Sequence, residues 1–381
     1  MLSKFKMVLV FVLVSLFSLS AQDKPEVKIG GALRFNYNLS SWKSDQVQRG
    51  GDFGYDLFRI NAKAKYKGIK LNAEYRLYSS DFGGGMLKQG WIGYDFSPEN
   101  DIQIGLTQVP FGITQYNSHS WFFSINYYVG LEDDHDMGLK YTHSGEKWDY
   151  ALAFFKNAEE LKLYNLSDVS DSRYSYDVGS NAGFFRNKET NQFNGQLIRK
   201  FSTGSANHKL GVSGQYGGIY NLDTKDMGSE YSLAAHYELT AGQFDLKAQV
   251  SNYKYSTKNP VGQSNDVLAM TAYGAPYMVA SEATTYTIGA AYTVPVEWGP
   301  ISGLQFYDDF GFMDKKDASF EDTFMNVAGV LISAGNVYTY VDAAMGKDQP
   351  WLGPTWGNAL STGTVGADWE MRFNINIGYY F

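Results

Sequence analysis

The chain has 381 residues with no Cys, 40 Gly, 29 Tyr, 25 Phe and 8 Trp, and its 40 acidic against 32 basic residues give a formal charge of −8. That balance argues against nucleic acid as a partner, and the lack of Cys excludes a disulfide framework, a thiolate metal site and a Cys nucleophile. The excess of Tyr and Gly favours strands and turns over helices.

At the start of the chain, Lys4 and Lys6 precede an apolar run from Met7 to Phe17, which exits through Ser18-Leu19-Ser20-Ala21. A basic region, an apolar core too short for a comfortable membrane span and a small-residue exit predict a secretory signal peptide over residues 1–21. The rest, residues 22–381, is expected to be a single β-domain.

Beyond Gln22, apolar and polar residues alternate over segments of about ten residues. In the first, Ile29, Leu33, Phe35 and Tyr37 oppose Lys28, Arg34 and Asn36. In the second, Phe58, Ile60, Ala62, Ala64 and Tyr66 oppose Leu57, Arg59, Asn61, Lys63 and Lys65. In the third, Ile69, Leu71, Ala73, Tyr75 and Leu77 oppose Lys70, Asn72, Glu74, Arg76 and Tyr78. Thirteen similar segments follow, ending at 368–381, for about sixteen strands, an even number as closed outer-membrane barrels require.

The connections alternate in length. Tight turns such as Lys67-Gly68 and Thr240-Ala241-Gly242 lie between long connections at 38–54, 79–87, 110–135, 158–191, 217–227, 256–283, 313–321 and 347–367. An up-and-down antiparallel barrel puts short turns at one rim and long loops at the other. The predicted fold class is therefore all-β, a transmembrane barrel with outward residues meeting lipid and inward residues meeting water. Trp148, Tyr150, Tyr292 and Trp298 are candidates for its interfacial girdles.

At the C-terminus, Phe373, Ile375, Ile377, Tyr379 and Phe381 form an apolar face opposed by Arg372, Asn374, Asn376 and Gly378. This ending resembles the C-terminal strand signature of Gram-negative outer-membrane barrels, whose last residue is usually Phe. The stretch Gly105-Leu106-Thr107-Gln108-Val109-Pro110-Phe111-Gly112 resembles the Gly-Gln-x-x-x-Pro-Phe element of phosphate-selective porin O/P-type proteins, with Leu106 in place of Gln. The resemblance implies a sixteen-stranded porin whose third loop, residues 110–135, folds into the lumen and narrows it.

Two charged groups stand out. Arg34, Arg59, Lys63 and Arg76 share inward faces of the first three strands and form a candidate basic wall. Glu132, Asp133, Asp134 and Asp136 end the third connection and form a candidate acidic loop facing it. Facing charges would set a transverse field across a water-filled constriction, or would simply latch the loop to the wall. A calcium site among the four acids lacks the ligand-and-glycine spacing of a known loop, so no metal and no cofactor is expected. The aromatic stretch 116–128 offers either stacking surfaces for sugars or a cluster that pins the loop.

Gly31, Ala62, Ala64 and Ala73 give the first strands a smooth outer patch suited to close packing against another barrel, and the resemblance implies a homotrimer. Catalysis is not expected. Ser232, His236 and Glu238 share an inward face, but alternate residues on a strand diverge side by side, and no nucleophile elbow or metal spacing is present. The expected function is passive diffusion of small hydrophilic solutes and ions across a Gram-negative outer membrane, with lipid and lipopolysaccharide as neighbours. The alternative is a channel selective for phosphate-like anions or sugars.

Overall fold

The computed structural model describes residues 24–159 and 171–381. The expected signal segment, 1–21, and part of the 158–191 connection lie outside the described residues. In chain order the strands are β1 (Glu26–Ser40), β2 (Asp52–Tyr66), β3 (Ile69–Leu77), β4 (Gly85–Asp95), β5 (Asn100–Gln108), β6 (His135–Ser144), β7 (Trp148–Asn157), β8 (Asp177–Val178), β9 (Asn187–Thr203) and β10 (Ala206–Asn221). They continue as β11 (Met227–Ala241), β12 (Phe244–Ser256), β13 (Val267–Thr271), β14 (Tyr277–Ala280), β15 (Glu282–Trp298), β16 (Ile301–Lys315), β17 (Thr323–Ala334), β18 (Val337–Lys347) and β19 (Glu370–Tyr380).

Sixteen of these strands close into one antiparallel barrel, each paired with its neighbours in chain order and β19 returning to β1. The closing register runs from Ala32 opposite Tyr380 to Ser40 opposite Arg372. Phe381 extends the seam, with its backbone exchanging hydrogen bonds with Gly31 at 2.8 and 3.1 Å. Closure leaves no unpaired strand edge, as a hydrocarbon environment demands. At the short-turn rim Lys67 and Gly68 both adopt positive φ, 49° and 85°, the two-residue turn whose twist matches its flanking strands.

Side-chain alternation follows the expected sense. Ile29, Ile60, Leu71, Ile92, Ile104, Leu152, Leu210, Leu233 and Ile288 lie exposed on the outer surface, while Arg34, Glu74, Arg76, Gln215 and Gln249 are buried inside. An apolar exterior over a polar interior inverts a soluble fold and suits a bilayer. Trp148, Tyr150, Tyr292 and Trp298 are all exposed, as girdle residues should be.

The long connections hold more structure than alternation predicts. β8, β13 and β14 form a separate small sheet from two of them, segments of two to five residues that carry no readable period. β9 and β10 also extend further into the loop rim than expected, to Asn187 and Asn221. Around this sheet Tyr127, Tyr128, Tyr174, Tyr176, Tyr273 and Tyr277 join Leu268 and Met270 in a buried apolar cluster. The hydrophobic core of the described residues is thus made largely of loops folded inward.

Candidate solute pathway

The third long connection, residues 109–134, enters the lumen as the resemblance implied. Pro110 ends the ladder by lacking an N–H, and Gly112, at φ 59°, turns the chain inward. The Gly112 N–H donates to Ser213 Oγ and its carbonyl accepts from Gln196 Nε2, both at 2.8 Å; the Ile113 N–H donates to Gln249 Oε1, also at 2.8 Å. Further on, Asn117 Nδ2 donates to Thr287 Oγ1 at 2.9 Å, and Thr285 Oγ1 donates to Asn126 Oδ1 at 2.6 Å. Lys247 Nζ donates to the carbonyls of Tyr116 and Ser118 at 3.0 and 3.1 Å. The loop is therefore bound to the wall formed by β9–β16, because an inserted backbone has to find partners there.

His119 makes the most heavily bonded of these anchors. Its two ring nitrogens lie 2.8 Å from Asp245 and from Asp309, while the His119 and Ser120 N–H groups both donate to Asp309 Oδ2 at 2.8 Å. Burial acts to lower the His119 pKa, but the two carboxylates outweigh it and hold the ring above its ordinary value. Sequence reasoning missed this anchor. Asp245 and Asp309 could be read as inward acids, but nothing local joins them to a histidine 126 and 190 residues away.

Opposite the loop stand four guanidinium groups. Arg34 pairs with Asp56 at 2.9 Å and lies over the Trp121 ring at 4.1 Å. Arg76 and Arg59 both reach Glu74, at 2.6 and 3.5 Å, and Asn61 donates to the same carboxylate at 2.8 Å. Arg76 also stacks on Tyr174 at 4.4 Å, and Arg59 lies 5.2 Å over Tyr380. The fourth, Arg372, sits 5.3 Å over Trp42. Together with loop rings such as Tyr116, Trp121 and Phe123, the four arginines line a cavity of about 670 Å³ in which Asp56 is the sole lining carboxylate among the described residues.

Of the expected basic wall, Arg34, Arg59 and Arg76 line this cavity and Lys63 does not. Lys63 is exposed, opposite Lys28 and close to the short-turn rim. Arg372 was missed, although it stands on the inward face of the strand that closes the barrel.

The four acids differ more from expectation, for none of them lines the cavity. Glu132 turns back into its own loop and accepts from the N–H groups of Asn117 and Ser124 at 2.9 and 3.0 Å and from Ser124 Oγ at 2.5 Å. Burial, partly offset by these donors, pushes its carboxyl up to about 7. Asp133 accepts from Lys88 Nζ at 2.6 Å, Tyr174 OH at 2.7 Å and Gln108 Nε2 at 3.1 Å. Asp134 and Asp136 are buried at the loop's root beside Asp177. Acids on an inserted segment are drawn to unpaired donors and cations behind it, not to the open gap in front. Rings face the arginines instead.

The aromatic stretch divides between the cavity lining and the packing that pins the loop. Trp121 and Phe123 border the cavity, whereas Tyr127 and Tyr128 are buried with their hydroxyls donating to the carbonyls of Tyr174 and Phe122, each at 2.8 Å. Ser232 and His236 are buried without a hydrogen bond on Ser232 Oγ or either ring nitrogen, and Glu238 pairs with Lys209 at 3.4 Å, so these three form no catalytic relay.

No family model matches the chain, and no curated protein sequence matches it. Solved structures do match over nearly its whole length. The anion-selective porin from Comamonas acidovorans is 12% identical, with 94% of this chain and 100% of that one covered at a TM-score of 0.58. The outer membrane channel DcaP of Acinetobacter baumannii is 10% identical, covering 95% of this chain and 99% of its own at 0.59. Salmonella typhi OmpF, in complex with daunomycin, is 12% identical, covering 94% and 98% at 0.59. At these identities the likeness is one of fold: the chain shares the porin architecture, and nothing in it singles out the phosphate-selective type suggested by residues 105–112.

Proposed function

We propose that this chain is a passive diffusion channel of a Gram-negative outer membrane, exported with loss of residues 1–21 and admitting small hydrophilic solutes and ions. The observation that carries the reading is the cavity of about 670 Å³ between the arginine wall and the inserted loop, inside a closed barrel with an apolar exterior. Such a channel needs no turnover and no cofactor; lipid and lipopolysaccharide surround it. The outward row Ala62, Ala73 and Gly90, aligned across β2, β3 and β4, supports packing into a homotrimer.

A second reading, selectivity for anions or ring-bearing polar solutes, is favoured by the imbalance of the lining. Four arginines against Asp56 in the lining and Glu74 behind it leave a positive excess in a low-dielectric constriction, and the surrounding rings offer flat surfaces for stacking. Single-channel recording in a planar bilayer, with the reversal potential taken across a salt gradient, tests both readings. Steps in groups of three with an anion-directed potential support the proposal. A folded barrel that conducts nothing would end it.

A further inference from the structure

Behind the inserted loop lies a feature that transport does not use. Asp134 and Asp136, at the junction of the loop with β6, meet Asp177 of β8, and one carboxylate oxygen from each lies within 4.8 Å of the other two. All three residues are buried. Glu159, Glu189 and Glu230 enclose them, and Asp177, Glu189, Glu159 and Glu230 are the charges acting on Asp136. Among the described residues the nearest cation is Arg173, whose guanidinium is divided between Asp177 at 3.6 Å and Glu159 at 3.8 Å.

Hydrogen bonding does not account for this enclosure. Among the described residues, Asp136 Oδ1, Asp177 Oδ2, Glu159 Oε2 and both oxygens of Glu230 are buried without a hydrogen-bond partner. Glu230 is only 2% exposed and lies on the inward face of β11, where Glu189 and Asp177 are the charges acting on it. The donors present serve other oxygens of the group: the His135 N–H donates to Asp134 Oδ1 at 2.7 Å, the Val178 N–H to Glu189 Oε1 at 3.0 Å, the Ser175 N–H and Oγ to Glu159 Oε1 at 3.0 and 3.1 Å, and Gln192 Nε2 to Asp136 Oδ2 at 3.4 Å. Sharing protons among the carboxyls would satisfy the remaining oxygens only in pairs. Buried charge of one sign demands a partner of the other.

We propose that Asp134, Asp136 and Asp177 bind a divalent cation, calcium, with Glu230 and Glu189 completing the negative shell around it. The donors are all oxygens, which selects a hard cation, and they come from separate segments at unequal spacing, which suits the flexible coordination of calcium better than the strict octahedron of magnesium. The ion would tie the root of the inserted loop to the loop that carries β8, fixing the two segments relative to each other. This proposal does not depend on what the pore carries.

The test uses the full chain refolded in detergent without lipopolysaccharide, stripped with EDTA and titrated calorimetrically with calcium chloride and, separately, magnesium chloride. One saturable calcium site per chain is expected, with magnesium weaker, together with a calcium-dependent rise in thermal midpoint. Asp177→Asn should remove the binding, and Glu230→Gln should weaken it roughly tenfold to a hundredfold. The exposed-loop variant Asp317→Asn should leave it unchanged. Folding of each variant is checked by heat-modifiable mobility in gels, and because the two cluster variants are independent, one that fails to fold leaves the other to decide. A folded, stripped wild-type barrel that takes up no calcium would mean that protons neutralise the cluster, and the proposal fails. It fails equally if binding survives intact in a folded Asp177→Asn or Glu230→Gln protein, or if magnesium binds more tightly than calcium.

Discussion

The Arg34 guanidinium lies 4.1 Å over the face of the Trp121 ring, joining the first strand of the barrel to the tip of the loop that crosses its lumen. Such a contact is worth about 0.5–2 kcal/mol when partly desolvated, and here it also sets the width of the gap. Trp121→Ala removes the stacking and a large side chain from the cavity lining. Single-channel conductance should rise while the barrel remains folded.

Glu74 neutralises part of the arginine wall, accepting from Arg76 at 2.6 Å and facing Arg59 at 3.5 Å. Glu74→Gln releases that positive charge and should move the reversal potential further towards anions. Paired Arg59→Ala and Arg76→Ala changes should move it towards cations. If neither set shifts the potential, ions do not pass along this wall.

The His119 anchor carries a sign with pH. Its pKa is raised in the folded protein, so its contribution is fully present below the ordinary value of 6.5 and is lost as pH rises through the folded value. The loop should therefore be held more loosely at alkaline pH, seen as increased open-channel noise at pH 9 relative to pH 6. His119→Gln should abolish the difference. Equal noise in the wild type at both values would show that the ring does not govern the tether.

Glu132 fastens the loop to itself through three accepted hydrogen bonds. Glu132→Ala leaves two buried N–H groups without partners and should cost about 1–3 kcal/mol, measured as a lower urea midpoint followed by Trp fluorescence.

At the seam, a Cβ on Gly31 would lie 2.5 Å from the Arg59 carbonyl oxygen and 2.6 Å from the Phe381 ring. Gly31→Val cannot be accommodated without moving backbone, so closure of the final strand against the first should suffer. The expected result is a fall in refolding yield, read as heat-modifiable barrel on a gel. A normal yield would show that the Phe381 ring and the β2 backbone can yield at this point.

Local pattern made the barrel legible. A period of two says which face of each strand is apolar, turn chemistry says where strands reverse, and loop lengths say which rim is which; all three are properties of adjacent residues. On that basis the sequence alone determined the strand count, the inward direction of Arg34, Arg59 and Arg76, and the lipid-facing exterior. Which charges meet was decided only by the tertiary structure. Lys63 shares a face with Arg59 but ends near the rim, because strand tilt and register, not parity, set its height. Glu132 and Asp133 end behind the loop, where Lys88, Tyr174 and the loop's own N–H groups supply donors that the open gap does not, and Asp134 and Asp136 end at its root beside Asp177. His119 finds Asp245 and Asp309, and Asp136 finds Asp177, only because an inserted loop and a closed barrel bring distant segments together. Charge pairing depends on distance in space, and sequence spacing reports that distance only within a strand or a turn.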